Sequence, residues 1–200
     1  MTYWAASEAM KKVLKSKPGS VLDVGCGKGA HSWEFKKAGW QVHGVDITNE
    51  PNPSPFCFYN QSLWQEMDSN LSFDCVWASH VLEHQLNVNS FLSWCKARVR
   101  PGGLIAITVP PLKQQIVGGH VSVWNMGLLL YNMVLAGIDC SEAQGLKYGY
   151  NISIIVPYTG ATLPPLKYDA GDIETIAHLL PNGHKWVQGF DGDIENINWR

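Results

Sequence analysis

The chain lacks the marks of several large protein classes. It has no charge excess: 15 Lys and Arg against 17 Asp and Glu leave a formal net charge of −2 over 200 residues. No basic stripe is present, so a dedicated DNA- or RNA-binding surface is disfavoured. Cysteine is sparse. The five, Cys26, Cys57, Cys75, Cys95 and Cys140, form no CxxC pair, so neither a zinc site nor a disulfide framework is indicated. Scattered single thiols fit a reducing cytoplasm. No signal peptide is read at the polar, helical N-terminus. The longest apolar run, Met126 to Ile138, is interrupted by Asn132 and is too short to span a bilayer, so no membrane segment is expected. No internal repeat is visible.

What is present is the composition of a folded domain. Hydrophobic residues make up 46% and charged residues 16%, and 200 residues suffice for one domain with a good core. The run Val21-Leu22-Asp23-Val24-Gly25-Cys26-Gly27-Lys28-Gly29 is the most informative. It opens as a buried parallel strand would, breaks into alternating glycines, and resumes as a helical run from Ala30 to Ala38. A strand, a glycine turn and a helix make a nucleotide-cradling corner, where glycines let backbone approach the ligand. A dinucleotide fold usually keeps the Asp23 position apolar. A ligand carrying an ammonium and a sulfonium tolerates or wants a carboxylate there. Trp40 to Asp46 reads as a second strand ending in an acid, 17 positions after Gly29. A carboxylate at that place reaches the ribose hydroxyls of an adenosine cofactor.

Two further blocks follow in order. They are Phe73-Asp74-Cys75-Val76-Trp77-Ala78-Ser79-His80-Val81-Leu82-Glu83-His84 and Arg100-Pro101-Gly102-Gly103-Leu104-Ile105-Ala106-Ile107-Thr108-Val109-Pro110. With the glycine turn, they resemble the class I S-adenosylmethionine-dependent methyltransferases, over roughly residues 18 to 157. The resemblance implies an α/β fold: a Rossmann-like, doubly wound sheet of seven strands with an antiparallel last strand. It implies one methyltransferase domain over residues 1–200, with residues 158–200 a C-terminal extension of unassigned role. S-adenosylmethionine would be the cofactor and S-adenosylhomocysteine the product. Their contacts would come from Asp23, Gly25, Cys26, Gly27, Gly29, Asp46, Ile47, Gln61, Ser62, Leu63, Ser79 and His80. In the family an Asp often meets the adenine amine where this chain has Gln61 or Ser62, and an amide or hydroxyl can serve there.

Strands are expected over Ser20–Gly25, Gln41–Asp46, Phe56–Gln61, Ser72–Ala78 and Leu104–Val109, with a final hairpin of Asp139–Tyr148 and Asn151–Tyr158. Helices are expected over Trp4–Ser16, Ala30–Ala38, Val88–Val99, Trp124–Ala136 and Asp172–Leu180. Three prolines, Pro51, Pro53 and Pro55, replace the family's usual helix between strands two and three with a loop. The tail after Tyr158 either packs over the sheet edge, closes the substrate site or contacts another subunit.

The candidate catalytic residues are His120, His80 and His84. Histidine titrates near neutral pH and can take a hydroxyl proton. His120 follows the glycines Gly118 and Gly119 on the loop after strand five, and Trp124 just beyond is placed to stack on an acceptor. The paired metal-ligand acids of a catechol-type site are lacking, so no metal is expected. The reading is a methyltransferase for a small or sugar-like acceptor. A non-catalytic binding subunit and an NAD-type oxidoreductase remain as alternatives.

Overall fold

The computed structural model describes residues 5–47, 57–60, 67 and 70–200. The expected loop at Thr48–Pro55 and the adenine-site candidates Gln61, Ser62 and Leu63 lie outside these residues.

An eight-stranded sheet forms the centre. Its strands are β1 (Ser20–Val24), β2 (Gln41–Asp46), β3 (Cys57–Asn60), β4 (Phe73–Ser79), β5 (Val99–Val109), β6 (Gln144–Tyr148), β7 (Asn151–Pro157) and β8 (Asn196–Ile197). The order across the sheet is β3-β2-β1-β4-β5-β7-β6-β8. The first five strands are parallel, and β7 runs antiparallel to both β5 and β6. This is the expected Rossmann-like sheet with one addition. The two-residue β8, contributed by the tail, pairs Asn196 with Leu146 at the outer edge.

Alternation along the strands feeds two separate apolar layers. Val21, Cys75, Trp77, Ala106 and Ile155 face one side. There they meet Phe35 and α1 (Ser7–Val13), which contributes Ala9, Met10 and Val13. Leu22, Val24, Val76, Ala78, Ile105, Ile107, Ile154 and Val156 face the other side, against α3 (Val88–Ala97) and α4 (Met126–Leu135). The tail joins this second layer. Ile176 ends α5 (Asp172–Ile176), and with Leu180, Trp186 and Ile197 it is buried there. The tail crosses α4 at Gly127, where a Cβ would stand 2.6 Å from Phe190 and 2.7 Å from the Gly192 backbone. The tail thus packs over the sheet edge through β8 and against α4.

Several boundaries move, each for a local reason. Helix α3 stops at Ala97 rather than Val99, and β5 begins at Val99 rather than Leu104. The Arg100-Pro101-Gly102-Gly103 stretch therefore lies inside the strand and not in a turn. Gly102 takes a φ of +77°, and backbone bonds between Gly102, Gly103 and Tyr158 hold the irregular segment in place. Helix α4 starts at Met126 because the Asn125 side chain accepts a hydrogen bond from the Leu128 N–H at 2.8 Å. Strand β6 begins at Gln144, after a turn in which Asp139 accepts from the Ser141 N–H. Helix α5 is one turn, and Ala177–Leu179 continue as a 3₁₀ turn. Cys75, Cys95 and Cys140 are buried free thiols, and Cys26 is buried as well. Among the described residues no helix is long and apolar enough to cross a membrane.

Candidate active site

A cleft of about 300 Å³ opens at the carboxyl ends of β1, β2 and β4, lined by Gly25, Asp46 and Ile47 on one wall and by His80, Val81 and His84 on another. This is where open α/β sheets receive ligands.

The first wall is the glycine turn. Gly25, Gly27 and Gly29 have φ values of +70°, +49° and +79°, a region side chains rarely adopt. Gly29 caps α2 (Ala30–Lys37) and donates from its N–H to the Cys26 carbonyl. A Cβ on Gly25 would come within 2.3 Å of a Val81 methyl, so this glycine is needed by the fold itself. A Cβ on Gly27 would meet none of the described residues within 4 Å, so that part of the turn borders space they leave open. The Gly27 N–H donates to Asp46 Oδ2 at 2.7 Å, which brings the acid at the end of β2 onto the turn. Cys26 is buried, and its N–H bonds back to Val45. Ile47 is exposed along the cleft wall.

Behind the turn lies Asp23, 1% exposed, its Oδ2 accepting from the Ser32 hydroxyl at 2.6 Å. Burial pushes its carboxyl up to about 7, against the Ser32 bond and with help from the Asp46 charge. A buried acid held near neutrality becomes a full anion when a cation is placed beside it.

The second wall is the segment after β4. His80 has a φ of +57°, an uncommon conformation for a non-glycine residue. Its Nε2 lies 3.0 Å from Asn151 Oδ1 and its Nδ1 3.2 Å from Glu83 Oε1. Burial lowers its proton affinity, but the pairing with Glu83 and Asn151 outweighs this and holds the imidazole above its ordinary value. Tyr150 stacks alongside, with ring centroids 6.2 Å apart, and Lys113 sits over the tyrosine ring. Ser79 ends β4 with its hydroxyl buried and lacking a hydrogen-bond partner among the described residues.

The loop after β5 closes against this wall. His84 Nδ1 bonds the Gly119 carbonyl at 2.8 Å, and the Val121 N–H donates to the Glu83 carbonyl at 2.9 Å. The His84 and His120 rings meet edge to face, centroids 4.9 Å apart. His120 itself lines a smaller adjoining pocket with Leu112, Ile116 and Tyr150. All three candidate histidines thus gather at one end of the cleft. Trp124 does not. Its indole is 2% exposed and belongs to the α3–α4 core, because the chain turns inward there to begin α4. Glu83, Asn151 and Tyr150 join the site unannounced by the sequence. Only Glu83 carried a signal: its spacing from His80 puts both on one side of a single turn.

A family model for a methyltransferase domain matches residues 4–134. The ubiquinone biosynthesis O-methyltransferase of Bradyrhizobium sp. (strain ORS 278) is 35% identical over 101 residues, 44% of this chain and 38% of that protein. The enzyme of the same name from Rhodopseudomonas palustris (strain BisB18) is 34% identical over 96 residues, with the same coverage. The match thus spans under two fifths of these curated relatives' length. Among solved structures, the Burkholderia thailandensis 1,6-didemethyltoxoflavin-N1-methyltransferase superposes with a TM-score of 0.65 at 21% identity. It covers 77% of this chain and 76% of that one, and it was solved with 1,6-didemethyltoxoflavin and S-adenosylhomocysteine bound. CalS10, an amino pentose methyltransferase from Micromonospora echinaspora, superposes with a TM-score of 0.60 at 12% identity, covering 77% of this chain and 90% of that one.

Proposed function

The chain belongs to the methyltransferase-domain family, and from that premise we propose that it moves the methyl group of S-adenosylmethionine to the oxygen of a small acceptor. The observation that carries this reading is one continuous cleft. Its glycine and Asp46 wall suits an adenosine-bearing cation, and its histidine wall suits an acceptor. The likeness to proteins named O-methyltransferases supports oxygen as the acceptor atom.

The residues fit the cofactor. Asp46 would hold the ribose, with Gly25 and Ile47 along the adenosine side and the unfilled space at Gly27 taking the methionine portion. Asp23 would balance the ammonium from beneath the turn, and its raised proton affinity would fall as it did so. The exposed Ile47 would cover an apolar ring, and Cys26, Gly29 and Ser79 complete the surround, with Gln61, Ser62 and Leu63 our candidates toward the adenine. S-adenosylmethionine supplies an electrophilic methyl on a sulfonium, so the protein's task is alignment and exclusion of water, worth ~7–11 kcal/mol at best. His80, fixed by Asn151 and Glu83, would form the floor under the acceptor. His84 and His120 would promote loss of the acceptor's proton.

We take residues 1–200 as one methyltransferase domain, since the tail's apolar residues share the core of residues 18–157. The buried thiols of Cys75, Cys95 and Cys140 support a cytoplasmic setting. Calorimetric titration with S-adenosylhomocysteine and with NAD tests the cofactor, and methylation of a panel of phenols and sugars tests the reaction. Binding of NAD in place of S-adenosylhomocysteine would point to an oxidoreductase. Tight S-adenosylhomocysteine binding without transfer to any of them would favour a non-catalytic subunit.

A further inference from the structure

We propose that Glu83, His84 and His120 form a binding site for one divalent transition-metal ion, Zn²⁺ by ligand chemistry, at the acceptor end of the cleft. One ligand atom from each of the three lies within 4.8 Å of the others. Two imidazoles and a carboxylate are a donor set suited to Zn²⁺ and its neighbours, not to Mg²⁺ or Ca²⁺.

Three observations favour a metal over a simple polar cluster. The first is Glu83. Its side chain is 0% exposed, yet among the described residues neither carboxylate oxygen receives a well-aligned hydrogen bond. The nearest nitrogens, His80 Nδ1 at 3.2 Å and His84 Nε2 at 3.9 Å, both approach Oε1, and Oε2 has no partner among the described residues. A buried carboxylate in that state is costly unless a cation completes it. The second is His84. Its Nδ1 is committed to the Gly119 carbonyl, which fixes the tautomer and turns the Nε2 lone pair toward Glu83. A ligating histidine usually has such a partner on its other nitrogen. The third is that the two segments are already tied together. Val121 donates to Glu83, and Gly119 seats against His84, where a Cβ would come within 3.1 Å of Nδ1. Tetrahedral zinc with nitrogen ligands at ~2.0–2.1 Å needs donor atoms about 3.4 Å apart, so a cluster within 4.8 Å must contract by up to about 1.4 Å. The loop through Gly118 and Gly119 can supply that.

The inference deepens the methyltransferase reading and rests on it for its purpose. His84 lines the cleft, so a three-ligand ion leaves its fourth position open toward the acceptor. An acceptor hydroxyl bound there gives its proton to solvent at a lower pH, and its oxygen becomes the better nucleophile. His80, paired to Glu83 Oε1, would then be a positioning residue for the carboxylate.

The test is titration of the metal-stripped full chain with Zn²⁺ by calorimetry and with Co²⁺ by visible absorption. One equivalent should bind, with Co²⁺ bands of tetrahedral intensity. His120→Ala and His84→Ala should each weaken Zn²⁺ binding by at least ~10–100-fold, and both variants should keep their thermal unfolding profile and S-adenosylhomocysteine affinity. Asp46→Ala should lose S-adenosylhomocysteine and keep Zn²⁺, so the two readings fail separately. Octahedral Co²⁺ spectra, or Zn²⁺ affinity unchanged in the His84→Ala/His120→Ala double variant, would overturn the site.

Discussion

Asp23→Asn should separate what the buried acid does for the fold from what it does for the ligand. Its carboxyl is pushed up to about 7 from an ordinary 3.8 by burial, and the group is fully enclosed. Each tenfold change in proton affinity corresponds to about 1.4 kcal/mol. Holding Asp23 ionised in the ligand-free fold therefore opposes folding by about 4 kcal/mol above neutral pH. The folded-state value is raised, so the stability associated with this carboxyl is complete below about pH 4 and lost as pH climbs to about 7. Asparagine mimics the protonated acid and can still accept from Ser32. Urea unfolding of both proteins without ligand should show wild type losing about 2–3 kcal/mol relative to Asp23→Asn between about pH 5 and about pH 8. With S-adenosylhomocysteine the ranking should reverse near pH 8, because the variant lacks the charge that meets the ammonium. Parallel stability curves across that range would refute the burial argument. Equal S-adenosylhomocysteine affinity would refute the ammonium role.

Asp46→Ala should weaken S-adenosylhomocysteine binding roughly 10–150-fold, the loss of charge-assisted hydrogen bonds worth ~1.5–3 kcal/mol; unchanged calorimetric affinity would remove Asp46 from the ribose. Gly25→Ala should lower stability through the Val81 clash, whereas Gly27→Val should fold, bearing only a left-handed backbone penalty of ~1–2 kcal/mol, and lose cofactor binding. Normal ligand binding by Gly27→Val would make that glycine purely structural. Ile176→Ala should cost about 2–5 kcal/mol in urea unfolding, and a change below about 1 kcal/mol would show that the tail is not part of the core. His120→Ala should lower turnover ~10²–10⁴-fold. Undiminished turnover with an identified acceptor would exclude His120 from proton removal.

The central parallel strands β1 and β4 were legible because they are buried on both faces and read as largely apolar runs. The start of β5 was not, since Pro101, Gly102 and Gly103 carry the local signature of a turn, and only pairing to neighbours makes them strand. β8 spans two residues and has no periodicity to read. At the site, the glycine turn and Asp46 could be found because backbone geometry demands those residue types. The histidine end could be named but not assembled. Asn151 stands 71 positions from its partner His80, and nothing local marks it for that contact.

The topology explains why that distant residue arrives. β4 and β5 run in parallel and are paired from Cys75 through Ser79, so the turn at residues 80–84 and the loop at residues 110–123 leave the sheet side by side. A parallel strand in the β7 position would bring its carboxyl end to this edge. β7 runs the other way, with Ile152 opposite Val109 and Pro157 opposite Leu104. Its first residue, Asn151, therefore lies at the mouth of the cleft, and the preceding turn brings Tyr150 onto His80. Asn151 Oδ1 also accepts from the Ala6 N–H at 3.0 Å, joining the approach to α1 to the same point. The reversed strand closes the sheet and also supplies the contacts that hold His80 in its left-handed conformation. Asn151→Ala removes both Oδ1 contacts, and the Nδ2 bond to the Tyr148 carbonyl, at once, so its effect should reach His80 and the start of α1 together.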